Sequence, residues 1–279
     1  MSDTSRVALI TGGGRGLGKV MALALVEAGH RVILSSTDQA SLEETASESA
    51  APERVATIVA NLDKPGEAER LAEEAEAVFG QVDILFNNAG VSVNILRTDY
   101  LQKPFKFWEA DRAVIEKFFA INSVAPMVLS IRLAPAMVER GWGRIISNTT
   151  SLDTMLRFSL YGGSKAALEA ETAVWANNLA DTGVTANVLV PGGGAGSRMT
   201  DDVGLPRELV LPPEVMAPPA VFLASAASNA FTGRRILANR WQQAGPQATL
   251  EEAMAASDPI AWTGYGAQGV HPDMAMEKK

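Results

Sequence analysis

The segment Arg6–Gly18, Arg-Val-Ala-Leu-Ile-Thr-Gly-Gly-Gly-Arg-Gly-Leu-Gly, constrains the fold of this chain more than any other. Val7 to Ile10 is a short unbroken apolar run, the pattern of a strand buried on both faces. Thr11 ends it, and Gly12, Gly13, Gly14, Gly16 and Gly18 follow before a helix over Lys19–Ala28. Strand, glycine turn and helix together open a dinucleotide-binding unit. Gly12 and Gly16 remove side chains where a backbone must approach a pyrophosphate, and Gly18 lets the helix lie close to the strand. The helix N-terminus then offers unpaired N–H groups and a partial positive charge to the phosphates.

The rest of the chain repeats the alternation of short apolar runs and longer amphipathic segments. Strands are expected over Arg31–Ser35, Val55–Ala60, Val82–Phe86, Arg144–Ser147, Gly183–Val190 and Arg234–Ala238. Helices are expected over Ser41–Ser49, Lys64–Phe79, Asp111–Val124, Pro126–Arg140, Tyr161–Leu179 and Pro218–Ala227. Val91–Trp108 and Leu152–Leu160 read as loops, and the stretch from Ser197 to Pro213 reads as mobile. This pattern predicts a single α/β domain: a Rossmann-like, doubly wound parallel sheet with helices on both faces. Residues 1–242 would form the dinucleotide-binding and catalytic domain. Residues 243–279 would form a C-terminal extension packed on it or on a partner subunit, since Trp241, Trp262 and Tyr265 make the chain after Ala238 too apolar for a solvated tail. One further helix is expected there, over Leu250–Ala256.

Composition narrows the function. At 279 residues, 47% hydrophobic, the chain is long enough for one large core. It has no cysteine, which rules out disulfides, thiolate metal sites and cysteine nucleophiles and suits a reducing compartment. Net charge is −8 with a pI of about 5.0, unfavourable for a broad nucleic-acid surface. Met1–Arg6 is polar, unlike a secretory leader, and no apolar run looks long enough for a membrane span. The expectation is a cytoplasmic protein with no metal, no nucleic-acid partner and no membrane partner.

Two more motifs sit where an α/β sheet binds its ligands, at strand carboxyl ends. Asn87-Asn88-Ala89-Gly90 follows the fourth strand. After the fifth come Asn148-Thr149-Thr150-Ser151 and then Tyr161-Gly-Gly-Ser-Lys165 at the start of a helix. Tyr161 and Lys165 lie one turn apart on one helix face. A phenol is a poor base at its ordinary pKa of about 10, and moving it to about 7 takes roughly 4 kcal/mol. A nearby ammonium, with the positive ring of an oxidised nicotinamide, is the physical means of supplying much of that.

Thr11-Gly12-x3-Gly16-x-Gly18, Asn87–Gly90, Asn122, Tyr161-x3-Lys165 and Pro191-Gly192, in that order, resemble the short-chain dehydrogenase/reductase family over Val7–Ala238. The resemblance implies a seven-stranded parallel sheet, a homodimer or homotetramer, and NAD(P)-dependent hydride transfer between a nicotinamide and a small carbonyl or secondary alcohol substrate. Tyr161 would be the acid in reduction and the base in oxidation. Lys165 would lower its pKa and hold the nicotinamide ribose. Asn122, unfavourable inside a helix, would distort that helix and hold a water beside the lysine.

The family also places a substrate-binding hydroxyl, usually serine, at the end of the fifth strand. Counting back the family's interval from Tyr161 lands on Asn148, whereas aligning from Gly143-Arg144-Ile145 lands on Thr150 with a shortened loop. Ser151 is favoured slightly on chemical identity, with Thr150 close behind. The implied cofactor cradle is Thr11, Gly12, Gly14, Arg15, Gly16, Leu17 and Gly18, then Ser36, Thr37, Asn61 and Leu62, then Asn88, Ala89 and Gly90, with Tyr161, Lys165, Pro191 and Gly192 closing it.

NADP is the expected cofactor, with NAD possible. The end of the second strand offers Ser35, Ser36 and Thr37, where an acidic residue would select NAD by binding the ribose 2′-OH. Asp38 comes too late, and Arg15 stands in the glycine turn where it can pair with a 2′-phosphate. Two other functions share parts of the pattern. One is a nicotinamide-dinucleotide-binding regulatory protein without turnover. The other is a sugar-nucleotide epimerase or dehydratase, which would carry a larger C-terminal domain than the residues after Ala238 allow.

Overall fold

The computed structural model describes residues 5–196, 208 and 210–260. Its first half runs β1 (Val7–Thr11), α1 (Gly16–Glu27), β2 (Arg31–Ser36), α2 (Gln39–Glu48), β3 (Val55–Val59), α3 (Glu67–Phe79) and β4 (Ile84–Asn87). Then come α4 (Arg112–Phe119), a π-helical turn (Ala120–Val124), α5 (Ala125–Glu139), β5 (Gly143–Asn148), α6 (Leu152–Arg157), α7 (Tyr161–Asn178) and β6 (Val184–Val190). The described residues continue with α8 (Ala217–Ala224), β7 (Arg234–Leu237), α9 (Leu250–Ala255) and β8 (Ser257–Pro259).

Among the described residues the strands form one sheet in the order β3-β2-β1-β4-β5-β6-β7-β8. The order reverses between β1 and β4, so a crevice opens at their carboxyl ends. The strands β1 to β7 pair in parallel, as expected of the seven, and β8 adds an eighth that runs antiparallel to β7. The extra strand comes from the C-terminal stretch, which turns back and covers what would otherwise be an open sheet edge.

Successive residues of each strand feed opposite layers, which is why β1, β2 and β4 read as nearly unbroken apolar runs. Ala8, Ile10, Leu34 and Phe86 face α1 and α8 through Met21, Leu25, Phe222 and Leu223. Leu9, Ile33, Leu85 and Ile145 face α3 and α5 through Leu71, Ala75, Leu129 and Leu133. Each of the buried Leu, Ile, Phe and Met side chains contributes about 1.5–3 kcal/mol of transfer free energy. Trp241 belongs to the first layer, fully buried, with its ring centroid 5.1 Å from that of Phe222 and its indole N–H donated to the Gly245 carbonyl. Ala248, Ala253 and Ile260 are buried as well, so the C-terminal stretch lies against the sheet layers through residue 260. Trp262, Tyr265 and residues 197–207 fall outside the described residues.

Three local expectations change. Leu152–Leu160, read as a loop, opens with the helix α6, because Ser151 caps it: its hydroxyl accepts from the Thr154 N–H at 3.1 Å. The expected strand at Val82 starts at Ile84. The run Arg112–Glu139 is one continuous 28-residue helical stretch with the length and composition to cross a bilayer, contrary to the expectation that no run is long enough. Here it is a core helix, with Leu129, Leu133 and Met137 against the sheet and Asn122 and Ser123 buried in its π turn.

Candidate active site

The crevice at the switch point is a cleft of ≈ 780 Å³. Its first wall is the glycine turn. Gly12 has φ +67°, and a Cβ there would lie 3.0 Å from the Asn88 amide nitrogen. A Cβ on Gly18 would collide with the Gly12 carbonyl. No side chain caps the first turn of α1, whose amides face the cleft beside Gly14, Arg15, Gly16 and Leu17. An uncapped helix N-terminus approached by bare backbone has the donor set that a pyrophosphate requires, so these residues fit a dinucleotide.

Thr11 lies behind this wall, buried, and fastens β1 to β4. Its hydroxyl donates to the Phe86 carbonyl at 3.3 Å and accepts from the N–H groups of Asn88 and Ala89, each at 3.0 Å. Asn88 then links three strand ends. Its amide nitrogen donates to the Thr11 and Gly12 carbonyls at 2.8 and 3.2 Å, and its oxygen accepts from the Asn148 side chain at 2.8 Å. The Asn148 carbonyl in turn accepts from Lys165 Nζ at 2.8 Å. One polar path thus runs from β1 through β4 and β5 to α7.

At the far end of the turn, Ser36, Thr37, Asp38, Asn61 and Leu62 line the cleft with Arg15. Asp38 reaches the rim, but its carboxylate caps α2 by accepting from the Ala40 N–H at 3.2 Å. Asn61 is held by its own side chain, which accepts from the Asp63 N–H at 3.2 Å. Arg15 is exposed and makes no ion pair among the described residues.

Tyr161 and Lys165 occupy the first turn and a half of α7, both buried and both lining the cleft. Two devices place them. Ser159-Leu160-Tyr161 is a γ-turn: Leu160 has φ +64° and ψ −54°, and the Tyr161 N–H donates to the Ser159 carbonyl at 2.7 Å. The π turn around Asn122 then docks on the start of α7. The Asn122 amide donates to Ser164 Oγ at 3.0 Å, and Ser123 Oγ donates to the Ser164 carbonyl at 2.7 Å. The rest of the Asn122 side chain is taken up by the Val91 N–H and carbonyl, each at 2.9 Å. Gly90 leaves room between these groups, since a Cβ there would lie 3.1 Å from Asn122 Oδ1 and 3.2 Å from Lys165 Nζ. Inserting a residue into a helix this way is a recurrent feature of functional sites.

The electrostatics differ from the simplest expectation. Burial pulls the Lys165 ammonium down to about 8. Burial also pushes the Tyr161 phenol up to about 12, against the Thr150 hydroxyl, which favours the phenolate. The protein groups alone therefore do not bring the phenol toward neutrality. Desolvation outweighs them, and the ammonium is spent on the Asn148 carbonyl.

The two candidate hydroxyls separate clearly. Ser151 Oγ is committed to α6, donating to Thr154 Oγ1 at 2.7 Å while accepting its N–H. Thr150 lines the cleft with Tyr161, and its hydroxyl favours the phenolate. The sequence preference for Ser151 thus meets a local cap that draws its hydroxyl away. Pro191 borders the cleft, whereas Gly192, at φ +97°, stands behind it because a side chain would run into Asn239.

Residues 6–207 match the family profile described as short chain dehydrogenase. The chain belongs to that family. Among its relatives, an uncharacterized oxidoreductase of Mycobacterium tuberculosis is 32% identical over 246 residues, covering 83% of this chain and 89% of the relative. An NADPH-dependent aldehyde reductase-like protein of Arabidopsis thaliana, chloroplastic, is 32% identical over 203 residues, covering 67% and 72%. A solved short chain dehydrogenase/reductase family protein superposes with a TM-score of 0.70 at 30% identity, covering 83% of this chain and 94% of that one.

As a short-chain dehydrogenase/reductase, the chain is an NAD(P)-dependent oxidoreductase. Its substrate end carries two residues to which the sequence alone assigns no place in the site. Tyr100, buried and set edge-on to Phe158 with ring centroids 5.3 Å apart, lines the cleft and packs in one cluster with Tyr161. Asn148, noted only as a poor match for the family serine, holds Lys165 instead. Its position directly after an apolar strand was the available signal.

Proposed function

We propose that this short-chain dehydrogenase/reductase transfers hydride between NADP(H) and a small carbonyl or secondary alcohol. The bound nicotinamide supplies the hydride in reduction and accepts it in oxidation. Tyr161 gives its phenolic proton to the substrate oxygen in reduction and takes it back in oxidation. Thr150, rather than Ser151, holds that oxygen beside the phenol. Lys165, fixed on the Asn148 carbonyl, orients the ribose of the nicotinamide, and Asn122 shapes the π turn that seats a proton-carrying water near it.

The observation that carries this reading is the convergence of Tyr161, Lys165 and Thr150, from α7 and β5, on the same cleft as the glycine turn. The NADP preference is supported by Arg15, which has no ion-pair partner among the described residues, by Asp38 occupied in capping α2, and by the NADPH-dependent relative. The chain acts in the cytoplasm as a homodimer or homotetramer, with residues 1–242 as its catalytic domain and residues 243–279 as an extension.

The test is a panel of aldehydes, ketones and secondary alcohols, followed by the absorbance of the reduced nicotinamide with each cofactor. Tyr161→Phe should keep the ring in place and cofactor binding intact while turnover falls by ~10²-fold or more, the usual scale for a lost general acid. Cofactor binding with no turnover anywhere on the panel would favour a regulatory dinucleotide-binding protein instead.

A further inference from the structure

The mechanism leaves unused a pair of charges buried directly behind the site. Glu169 is fully buried, and Arg235 on β7 is 5% exposed. Arg235 Nε donates to Glu169 Oε1 at 2.9 Å. Burying two charges is costly, and an apolar pair of similar size often serves stability as well or better. Stability alone is therefore a weak reason for the pair.

Its remaining bonds point to a different role. Thr149 Oγ1 donates to Glu169 Oε2 at 2.7 Å, and Arg235 Nη2 donates to the Thr150 carbonyl at 2.7 Å. Glu169 thus holds Thr149 and Arg235 holds Thr150, the two residues that follow β5. Glu169 also stands one turn beyond Lys165 and two beyond Tyr161, on the same face of α7. The pair thereby fixes the strand end that bears Thr150 relative to the helix that bears the phenol. The C-terminal strand seals it: Asp258 of β8 is the register partner of Arg235, and Ile260 is buried with Val188, Val190 and Ala173 beside it.

We infer that Glu169 and Arg235 are positioning residues that set the Thr150 hydroxyl against Tyr161, and that this buried pair serves the reaction geometry. The inference rests on the proposed roles of Thr150 and Tyr161, and it concerns neither cofactor binding nor the overall fold.

Removing one partner alone strands a buried charge and destabilises the chain, so the double replacement Glu169→Leu/Arg235→Met carries the test. It should melt near the unmodified protein and bind NADPH with unchanged Kd by fluorescence titration. With a ketone and alcohol pair from the panel, kcat should fall ~10-fold, on the order of one lost transition-state hydrogen bond. The ascending limb of the oxidation profile should move up by about one pH unit, because the phenolate has lost the hydroxyl that favoured it. Its crystal structure should show Thr150 withdrawn from Tyr161. Thr149→Val, which leaves both charges paired, should move the same readouts in the same direction by less, and it judges the idea if the double variant does not fold. A double variant with unchanged kcat, limb and Thr150 position would reduce the pair to a structural staple and overturn the inference. If the unmodified protein turns over nothing on the panel, the functional reading fails, and the position of Thr150 in the crystal structures decides the positioning claim by itself.

Discussion

Thr150→Val and Ser151→Ala, measured side by side, separate two effects that the sequence alone merges. Thr150→Val keeps the shape of the side chain and the backbone carbonyl that Arg235 holds at 2.7 Å, so the strand end should stay where it is. What disappears is the hydroxyl facing a phenol that burial has pushed up to about 12. A hydrogen bond to a charged group contributes about 1.5–3 kcal/mol, which corresponds to roughly 10–100-fold in rate. The same energy is about 1–2 pH units in the phenol's ionisation. Because the lost bond favoured the phenolate, the pKa of Tyr161 rises, and the limb for alcohol oxidation moves to higher pH.

Ser151→Ala instead removes the cap of α6, worth about 1 kcal/mol, and should lower Tm by ~2–4 °C in a chain of this size. Its turnover should stay within ~3-fold of the unmodified protein, since the hydroxyl was committed to Thr154. The assay is kcat/KM against pH in both directions, with thermal melts of the same samples. A large loss of turnover in Ser151→Ala, with Thr150→Val near normal, would refute the assignment.

Arg15→Ala should remove most of the preference for NADP(H) over NAD(H) and leave kcat with NAD(H) unchanged; a clear NAD(H) preference in the unmodified protein would mean that Asp38 reaches the ribose after all. Leu160→Gly should relieve the left-handed backbone that a leucine tolerates poorly, leaving Tm equal or higher while kcat drops ~5-fold, because Tyr161 is no longer held by a stiff turn; a matching loss of Tm and kcat would argue against stored strain. Lys165→Met tests the buried ammonium, whose folded-state pKa is drawn from 10.5 to about 8. Across that window the unfolded chain binds the proton that the folded one has shed, so the unmodified protein gains stability as pH rises, by ~3 kcal/mol at most. Denaturant unfolding at neutral and alkaline pH should show this gain in the unmodified protein and its absence in the variant, and parallel behaviour of the two would contradict it.

Much of the fold was legible because the sheet is buried on both faces and most of its parallel strands carry a short apolar run bounded by turn residues. The eighth strand was not, since Ser257-Asp258-Pro259 has no strand pattern and pairs only because β7 presents an open edge. The helix α6 was missed for the opposite reason. Its local signal, a serine three residues before a threonine, was present, but it was read as part of a hydroxyl cluster for substrate. The glycine turn and the Asn88, Tyr161 and Lys165 positions were legible as motifs, and the structure brings them to one cleft. Arg235 was not, because it reaches the site from a distant segment and no spacing rule connects it there; Tyr100 lies in the loop expected over Val91–Trp108, but no spacing sets it beside the phenol. Glu169 lay within reach, as an acidic residue one turn beyond Lys165 on a buried helix face.

The strand ends explain why the parts of this site cohere. In β1, β4 and β5 the apolar run stops at the level of the crevice, and the next residues are Thr11, Asn87-Asn88 and Ser147-Asn148-Thr149. Beyond that level the ladder no longer satisfies every backbone group, and an unpaired buried amide or carbonyl is costly. The side chains of these residues take over that role: Thr11 serves the N–H groups after β4, Asn88 the carbonyls after β1, and Lys165 the carbonyl ending β5. The groups that complete the sheet are thus the same ones that fix the glycine turn and the ammonium of α7 relative to each other. Cofactor cradle and proton-transfer end are set in register by the requirement that buried polar groups be paired, and the loops above the sheet are free to differ in what they select.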